Sequence, residues 1–282
     1  MSQNKNNEED QARSDVESDQ MEKLITDLRP AERVVVITGA GVSVASGIAP
    51  FRKNPNAVWE NNLTERGTLR YFLEHPSEAW TWYDHRFAGL SDKELNPTHS
   101  ALAELEQWCV TKGIEMTLIT QNIDRLHHKA GNERLIEIHG RSDRIRCVNH
   151  GCSLASPTGS IDRHELSFDL FRAQPSDLSL PRCPKCGSLV RPHVLWFDET
   201  YDSHLDYQYT QAINALESAD LIIAIGTSFS VGITELALYT AELNGAITWS
   251  IDLDRDPEIP VDGWLLGRSE ELIPQLINRL HI

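Results

Sequence analysis

Val34-Val35-Val36-Ile37-Thr38-Gly39-Ala40-Gly41-Val42-Ser43-Val44-Ala45-Ser46-Gly47-Ile48 is the stretch that decides the fold. The β-branched run 34–37 predicts a strand, and the glycines after it predict a turn that opens a helix. Strand, glycine turn and helix is the phosphate-binding arrangement of a doubly wound sheet, with the helix N-terminus facing an anion. The third glycine stands at 47 rather than 44. No acidic residue ends a second strand about 20 residues later, as a dehydrogenase fingerprint would want, so a bare tight turn competes with this reading.

Working outward, the short apolar runs Met116 to Ile119, Leu135 to Ile138, Leu221 to Ile225 and Ala246 to Ile251 predict further strands. Helices are predicted over 97–108 with Thr98 or Ser100 near the cap, over 205–218 and 234–244, and at the end from Ser269. The alternation makes an α/β fold with a Rossmann-like, doubly wound parallel sheet. Between Ala49 and Asn96 no strand signal occurs. Trp59, Phe72, Trp80, Trp82, Tyr83 and Phe87 lie there among helix-forming residues and predict an apolar wall beside a cleft, or simple helix packing.

Two strand ends carry polar chemistry. Gln121-Asn122-Ile123-Asp124 follows one predicted strand and offers amide donors, amide acceptors and a carboxylate that suit a nucleotide's hydroxyls and amide. The competing reading makes Asn122 and Asp124 helix caps. His139 follows another strand and precedes Gly140, so it is a candidate base, its ordinary pKa lying near 6.5. Gly226-Thr227-Ser228 is a second small-residue turn at a strand end.

Five cysteines occur, four of them in two close pairs: Cys147 and Cys152 with four residues between, Cys183 and Cys186 with two. Two knuckles around a polar insert predict one tetrahedral zinc with four thiolates. With every position filled by protein, that zinc is structural. His150 could replace Cys152 in the set. Cys109 reads as a small core residue.

The formal charge of -16 argues against binding DNA through its phosphates, which requires clustered Lys and Arg. No export signal and no apolar run long enough to span a bilayer is present, and the reading is a cytoplasmic protein, monomeric or weakly oligomeric, without membrane contact. Residues 1–28 are acidic and poor in apolar residues at their start, and are expected to be a disordered tail.

Together these motifs resemble the sirtuin family of NAD-dependent protein lysine deacylases, over roughly residues 30 to 280. The resemblance is carried by Gly39-Ala40-Gly41-x-Ser43-x-x-Ser46-Gly47-Ile48-x-x-Phe51-Arg52, Thr120 to Asp124 with Leu126, His127, Ala130 and Gly131, His139-Gly140, the cysteine pairs and Gly226-Thr227-Ser228. It implies a large Rossmann-like NAD-binding domain from 29–52, 97–140 and 193–282. The small domain would comprise a helical part with the cofactor loop, 53–96, and a zinc module, 141–192. NAD and acyl-lysine protein would enter the cleft from opposite sides. The acyl oxygen would attack the ribose as nicotinamide leaves, and His139 would deprotonate the ribose.

By the same resemblance, Asn122 and Asp124 hold the ribose and carboxamide and serve the catalysis, and Gln121 and Arg52 hold the ribose and phosphate side. Ala40, Ser43, Phe51 and Ile123 form the nicotinamide pocket. Gly226, Thr227 and Ser228 take phosphates and adenine ribose, with Asp252 near the adenosine. Val194, Trp196 and Phe197 meet the peptide backbone as an added strand. The Tyr83-x-x-Arg86 pair is similar to the one that binds the acyl carboxylate in family members preferring malonyl- or succinyl-lysine. The plainer reading of Arg86 is a solvated residue paired with Asp84 or Glu78. Departures are the wider first cysteine spacing, the missing proline after Ser228, and the segment Lys53 to Trp59. A mono-ADP-ribosyltransferase of the same fold and a non-catalytic NAD-binding module are the alternative functions.

Overall fold

The computed structural model describes residues 16–49 and 66–281. Six parallel strands form the main sheet in the order β3-β2-β1-β7-β8-β9. They are β1 (Arg33–Thr38), β2 (Glu115–Thr120), β3 (Leu135–Glu137), β7 (Leu221–Ile225), β8 (Ile247–Asp252) and β9 (Gly263–Leu266). The last of these was not anticipated, being a short run whose Gly and Trp give no strand period. Chain order reverses beside β1, and ligands of such sheets lie at that switch point.

Alternation sorts the strand side chains into two layers. Val34 and Val36 join a core with Leu118, Ile223 and Trp249, beneath helices over Pro97–Lys112 and Ser269–Leu280. Val35 and Ile37 face the other way, toward Ala212, Leu216, Ile233 and Ala237 of helices Tyr209–Glu217 and Gly232–Asn244.

Over residues 16–28 the expected disordered tail needs correction, while its residues 1–15 lie outside the described residues. Residues 16–28 form a helix, and its Met21, Leu24, Ile25 and Leu28 are buried in the first core. The i, i+3, i+4, i+7 spacing puts these four on one face, and their burial outweighs the acidic composition. Two boundaries also differ. The helix at Pro97 is capped by Asn96, whose side chain accepts from the amide of Thr98 at 2.9 Å. The helix expected from Leu205 begins at Tyr209, after a 3-10 turn over Leu205–Tyr207, because Gln208 adopts a left-handed conformation.

A second, antiparallel sheet has the order β5-β4-β6, formed by β4 (Gly140–Cys147), β5 (Ile161–Asp162) and β6 (Val190–Val194). It shares a third core with helices Leu69–Glu74 and Pro76–Phe87, through Phe72, Trp80, Tyr83, Ile145, Val190 and Trp196. The Trp80 indole donates to the carbonyl of Val190 at 2.7 Å, joining helix to sheet. Among the described residues no helix is long and apolar enough to cross a membrane.

Candidate active site and zinc centre

Strand register sets the site. Thr38 lies opposite Thr120 and Ile225, Thr120 opposite Glu137, and Ile225 opposite Ile251, so the loops after five strands open on one sheet edge. They border a cavity of about 850 Å³, within the roughly 300–1,000 Å³ of small-molecule sites.

Gly39, Ala40 and Gly41 line one wall with Gly226, Thr227 and Ser228. The two turns touch: the amide of Gly41 donates to the carbonyl of Gly226 at 2.9 Å, and a Cβ at Gly39 would lie 2.6 Å from that oxygen. The helix expected after the first turn is a 3-10 helix, Ala40–Ser46. Asn96 pins it by donating to the carbonyl of Val42 at 2.8 Å and to Ser46 Oγ at 3.0 Å.

Gln121, Asn122 and Ile123 also face the cavity, and Asp252 borders its far end. The Gln121 amide donates to Thr227 Oγ1 at 3.1 Å, tying the polar loop to the second turn. Asn122 Nδ2 donates to the carbonyl of Gly39 at 2.9 Å and to Ser43 Oγ at 3.1 Å. Ser43 and Asp124 stand behind this wall. Ser43 Oγ donates to Asp124 Oδ2 at 2.7 Å, while Asp124 Oδ1 accepts the amide of Leu126 at 2.9 Å. Both are buried, so Asp124 combines the capping role with support of the glycine turn. Phe51 and Arg52, assigned to the cofactor loop, lie outside the described residues.

His139 is half-buried where the two sheets meet. Its Nδ1 lies 2.9 Å from the carbonyl of Gln121, which requires the proton on Nδ1 and leaves Nε2 as a lone pair. Burial pulls its pKa down to about 4, only partly opposed by that backbone bond. Gly140 is obligatory beside it: φ is 82° and a Cβ would lie 2.3 Å from the carbonyl of His193. Sequence reasoning missed Tyr201, whose ring stacks on His139 at 5.9 Å and whose hydroxyl lies 3.4 Å from Nε2. It also missed Arg268 on the cavity wall near Asp252. A single Tyr or Arg in a loop carries no periodic signal that would mark either.

The third wall comes from the smaller core. Val194, Trp196 and Phe197 line the cavity, and the amide of Leu195 donates to the carbonyl of His139 at 2.9 Å. A buried ion network holds this segment. Arg191 donates to both Glu199 oxygens at 2.7 Å, and Arg146 donates to one of them at 2.7 Å. Burial would raise the Glu199 pKa, but these hydrogen bonds and charges hold it below the usual range. Arg191 also donates to the carbonyl of Val194 at 2.8 Å and lies over the Trp196 ring at 3.5 Å. The Trp196 indole donates to Tyr83 Oη at 2.5 Å, so Tyr83 is locked at the cavity edge.

Arg86 borders the cavity next to Tyr83 and donates to the carbonyl of Ala49 at 3.3 Å. Burial lowers its pKa. The acids expected to claim it hold other cations: Asp84 pairs with Arg163 and Arg172, and Glu78 with Arg66.

The four cysteine sulfurs converge within 4.8 Å of one another, with Cys147 and Cys186 at 3.5 Å and Cys152 and Cys183 at 3.6 Å. Thiolates about 2.3 Å from a tetrahedral zinc would sit about 3.8 Å apart, so the set fits that ion. Amides of Asn149 and Leu154 point at the sulfurs of Cys147 and Cys152 at 3.4 and 3.5 Å. His150 is exposed and stands outside the cluster, which resolves the ligand set in favour of Cys152. Cys109 is buried in the main core, and burial pushes its thiol up to about 12.

The Sir2 family model matches residues 39–232. An NAD-dependent protein deacylase of Thermococcus kodakarensis is 34% identical over 255 residues, 90% of this chain and 93% of that protein. NAD-dependent deacetylase sir2E of Dictyostelium discoideum is 31% identical over 270 residues, 93% of this chain and 77% of that one. A solved complex of a Sir2 homologue with NAD superposes with a TM-score of 0.75 at 32% identity, covering 92% of this chain and 93% of that one. A complex of Sir2 with a p53 peptide and NAD+ gives 0.73 at 27% identity, covering 92% and 98%.

Proposed function

The chain belongs to the Sir2 family, and from that premise we infer how its site works: it is an NAD-dependent protein lysine deacylase that releases nicotinamide and O-acyl-ADP-ribose. The residues present suit NAD. Two glycine turns in contact allow a ligand close to the backbone, and Thr227, Ser228 and Gln121 add hydroxyl and amide groups along one wall. Bound NAD supplies an electrophilic ribose carbon once nicotinamide leaves. Gly39, Ala40, Gly41, Gly226, Thr227 and Ser228 cradle its phosphates and adenosine ribose, and Asp252 stands at the adenosine end.

One observation carries the assignment of the base. The Gln121 carbonyl fixes the proton of His139 on Nδ1, so Nε2 is an acceptor at the junction of the polar loop and the 194–197 wall. His139 therefore takes the ribose proton. Asn122 and Ile123 bind the nicotinamide and ribose side, and Ser43 and Asp124 act by holding Asn122 and the glycine turn in place. The peptide backbone lies along Val194, Trp196 and Phe197. A transferase that only attaches ADP-ribose to protein has less need of such a base. Incubation with NAD and acyl-lysine peptides should release nicotinamide and O-acyl-ADP-ribose in equal amounts. Labelled ADP-ribose retained on protein instead would support transfer.

The acyl group is assigned to the acidic class, succinyl or malonyl. Arg86 borders the cavity beside Tyr83, whose hydroxyl is held by the Trp196 indole. A guanidinium can give a carboxylate two parallel hydrogen bonds.

A further inference from the structure

A second cluster of ligating side chains lies away from both the cavity and the cysteines. His193 of β6 and His204 and Asp206 of the segment after Tyr201 bring one donor atom each within 4.8 Å of the others. His193 Nε2 is 3.3 Å and His204 Nδ1 3.8 Å from Asp206 Oδ2. Donors about 2.0–2.2 Å from a tetrahedral zinc would lie about 3.3–3.6 Å apart. We infer that these three residues form a second divalent-metal site of the zinc type, with a fourth position left for water.

Three features support it. The His193 side chain is fully buried, and among the described residues neither ring nitrogen makes a well-aligned hydrogen bond, Nε2 having only its 3.3 Å approach to Asp206, whereas buried polar groups are nearly always satisfied. A metal ion supplies what Nε2 lacks. His204 lies 3.1 Å from the carbonyl of Gly159 through Nε2, so its proton is there and Nδ1 is the lone pair that faces Asp206. That is the outer bond which orients ligating histidines. Asp206 is 44% exposed, which opens a path for the ion, and it brings the negative charge.

Binding an ion replaces one polar contact and can keep another. His204 Nδ1 accepts the amide of Asp206 at 3.1 Å, and its single lone pair has to turn from that amide to the metal, whereas the Asp206 carboxylate has lone pairs enough to keep Ser160 Oγ at 3.1 Å. The nearby cations, Arg146 and Arg191, share the single carboxylate of Glu199, and Arg146 is also bonded to Tyr207 Oη. Two neutral imidazoles and one carboxylate suit zinc and cobalt better than calcium or magnesium. An ion here would tie β6, which continues into the 194–197 wall, to the segment carrying Tyr201.

The test is a cobalt(II) titration of the full, zinc-replete chain, followed by absorption and elemental analysis. One further equivalent should bind with weak d–d bands and no thiolate-to-cobalt charge transfer. Asp206→Asn, at a half-exposed position that tolerates the change, should weaken that binding at least about 100-fold, beyond what loss of an outer-shell partner costs. His204→Gln should do the same, both leaving the four-cysteine zinc in place. No further equivalent in the parent protein, unchanged cobalt affinity in both variants, or cobalt entering only with thiolate charge transfer would each overturn the site.

Discussion

Arg86→Met separates recognition of the acyl group from everything else the site does. Asp84 keeps Arg163 and Arg172, and Glu78 keeps Arg66, so neither of these two acids is stranded by the change. The hydrogen bond to the carbonyl of Ala49, 3.3 Å long, disappears with the guanidinium. A methionine retains most of the stem that packs at the half-buried position. A succinyl carboxylate would lose a charge-assisted bond, about 1.5–3 kcal/mol. At about 1.4 kcal/mol per factor of ten, kcat/KM for a succinyl-lysine peptide should fall roughly 10- to 150-fold. An acetyl group has no carboxylate to lose, and its kcat/KM should change less than about threefold. The assay follows nicotinamide release for both peptides of one sequence. Equal losses on the two, or a parent protein inactive on succinyl-lysine, would refute the acidic-acyl assignment.

His139→Ala should abolish acyl removal while thermal melting stays cooperative; turnover near that of the parent would remove His139 as base. Since burial sets its pKa at about 4, below the ordinary 6.5, the neutral form prevails above that value, and any acid limb due to His139 in the free enzyme should lie near pH 4. The linked stability has the matching sign: the depressed pKa favours the fold fully above about 6.5, and that contribution is lost as pH falls toward about 4. Cys183→Ser should abolish stoichiometric zinc and expose amides of the β4–β6 sheet to exchange while β1 and β7 stay protected; full zinc content in the variant would contradict the ligand set. Leu24→Ala, in the helix over residues 16–28, should cost about 2–5 kcal/mol in urea unfolding, and a loss under about 0.5 kcal/mol would mean that this helix contributes nothing to the core.

Local patterns were enough for much of this protein. The run Val34 to Ile37 before Gly39-Ala40-Gly41, and Leu221 to Ile225 before Gly226, specify strand and turn through side-chain shape and the lack of a Cβ, both properties of consecutive residues. The cysteine spacing likewise announces a metal site, because two ligands in one knuckle are neighbours in the chain. Tertiary structure decided what depends on distant partners. Residues 16–28 are acidic enough to look solvated, and only the surface offered by Leu105, Trp249 and Leu276 makes a helix of them. Asp124 could cap a helix or face a ligand, and Ser43, 81 positions away, settles where its second oxygen points. The proton position on His139 depends on a carbonyl 18 residues back, and its stacking partner Tyr201 lies 62 residues ahead. Orientation of a polar side chain is set by whichever donor or acceptor the fold brings within about 3 Å, and a linear sequence does not contain that proximity.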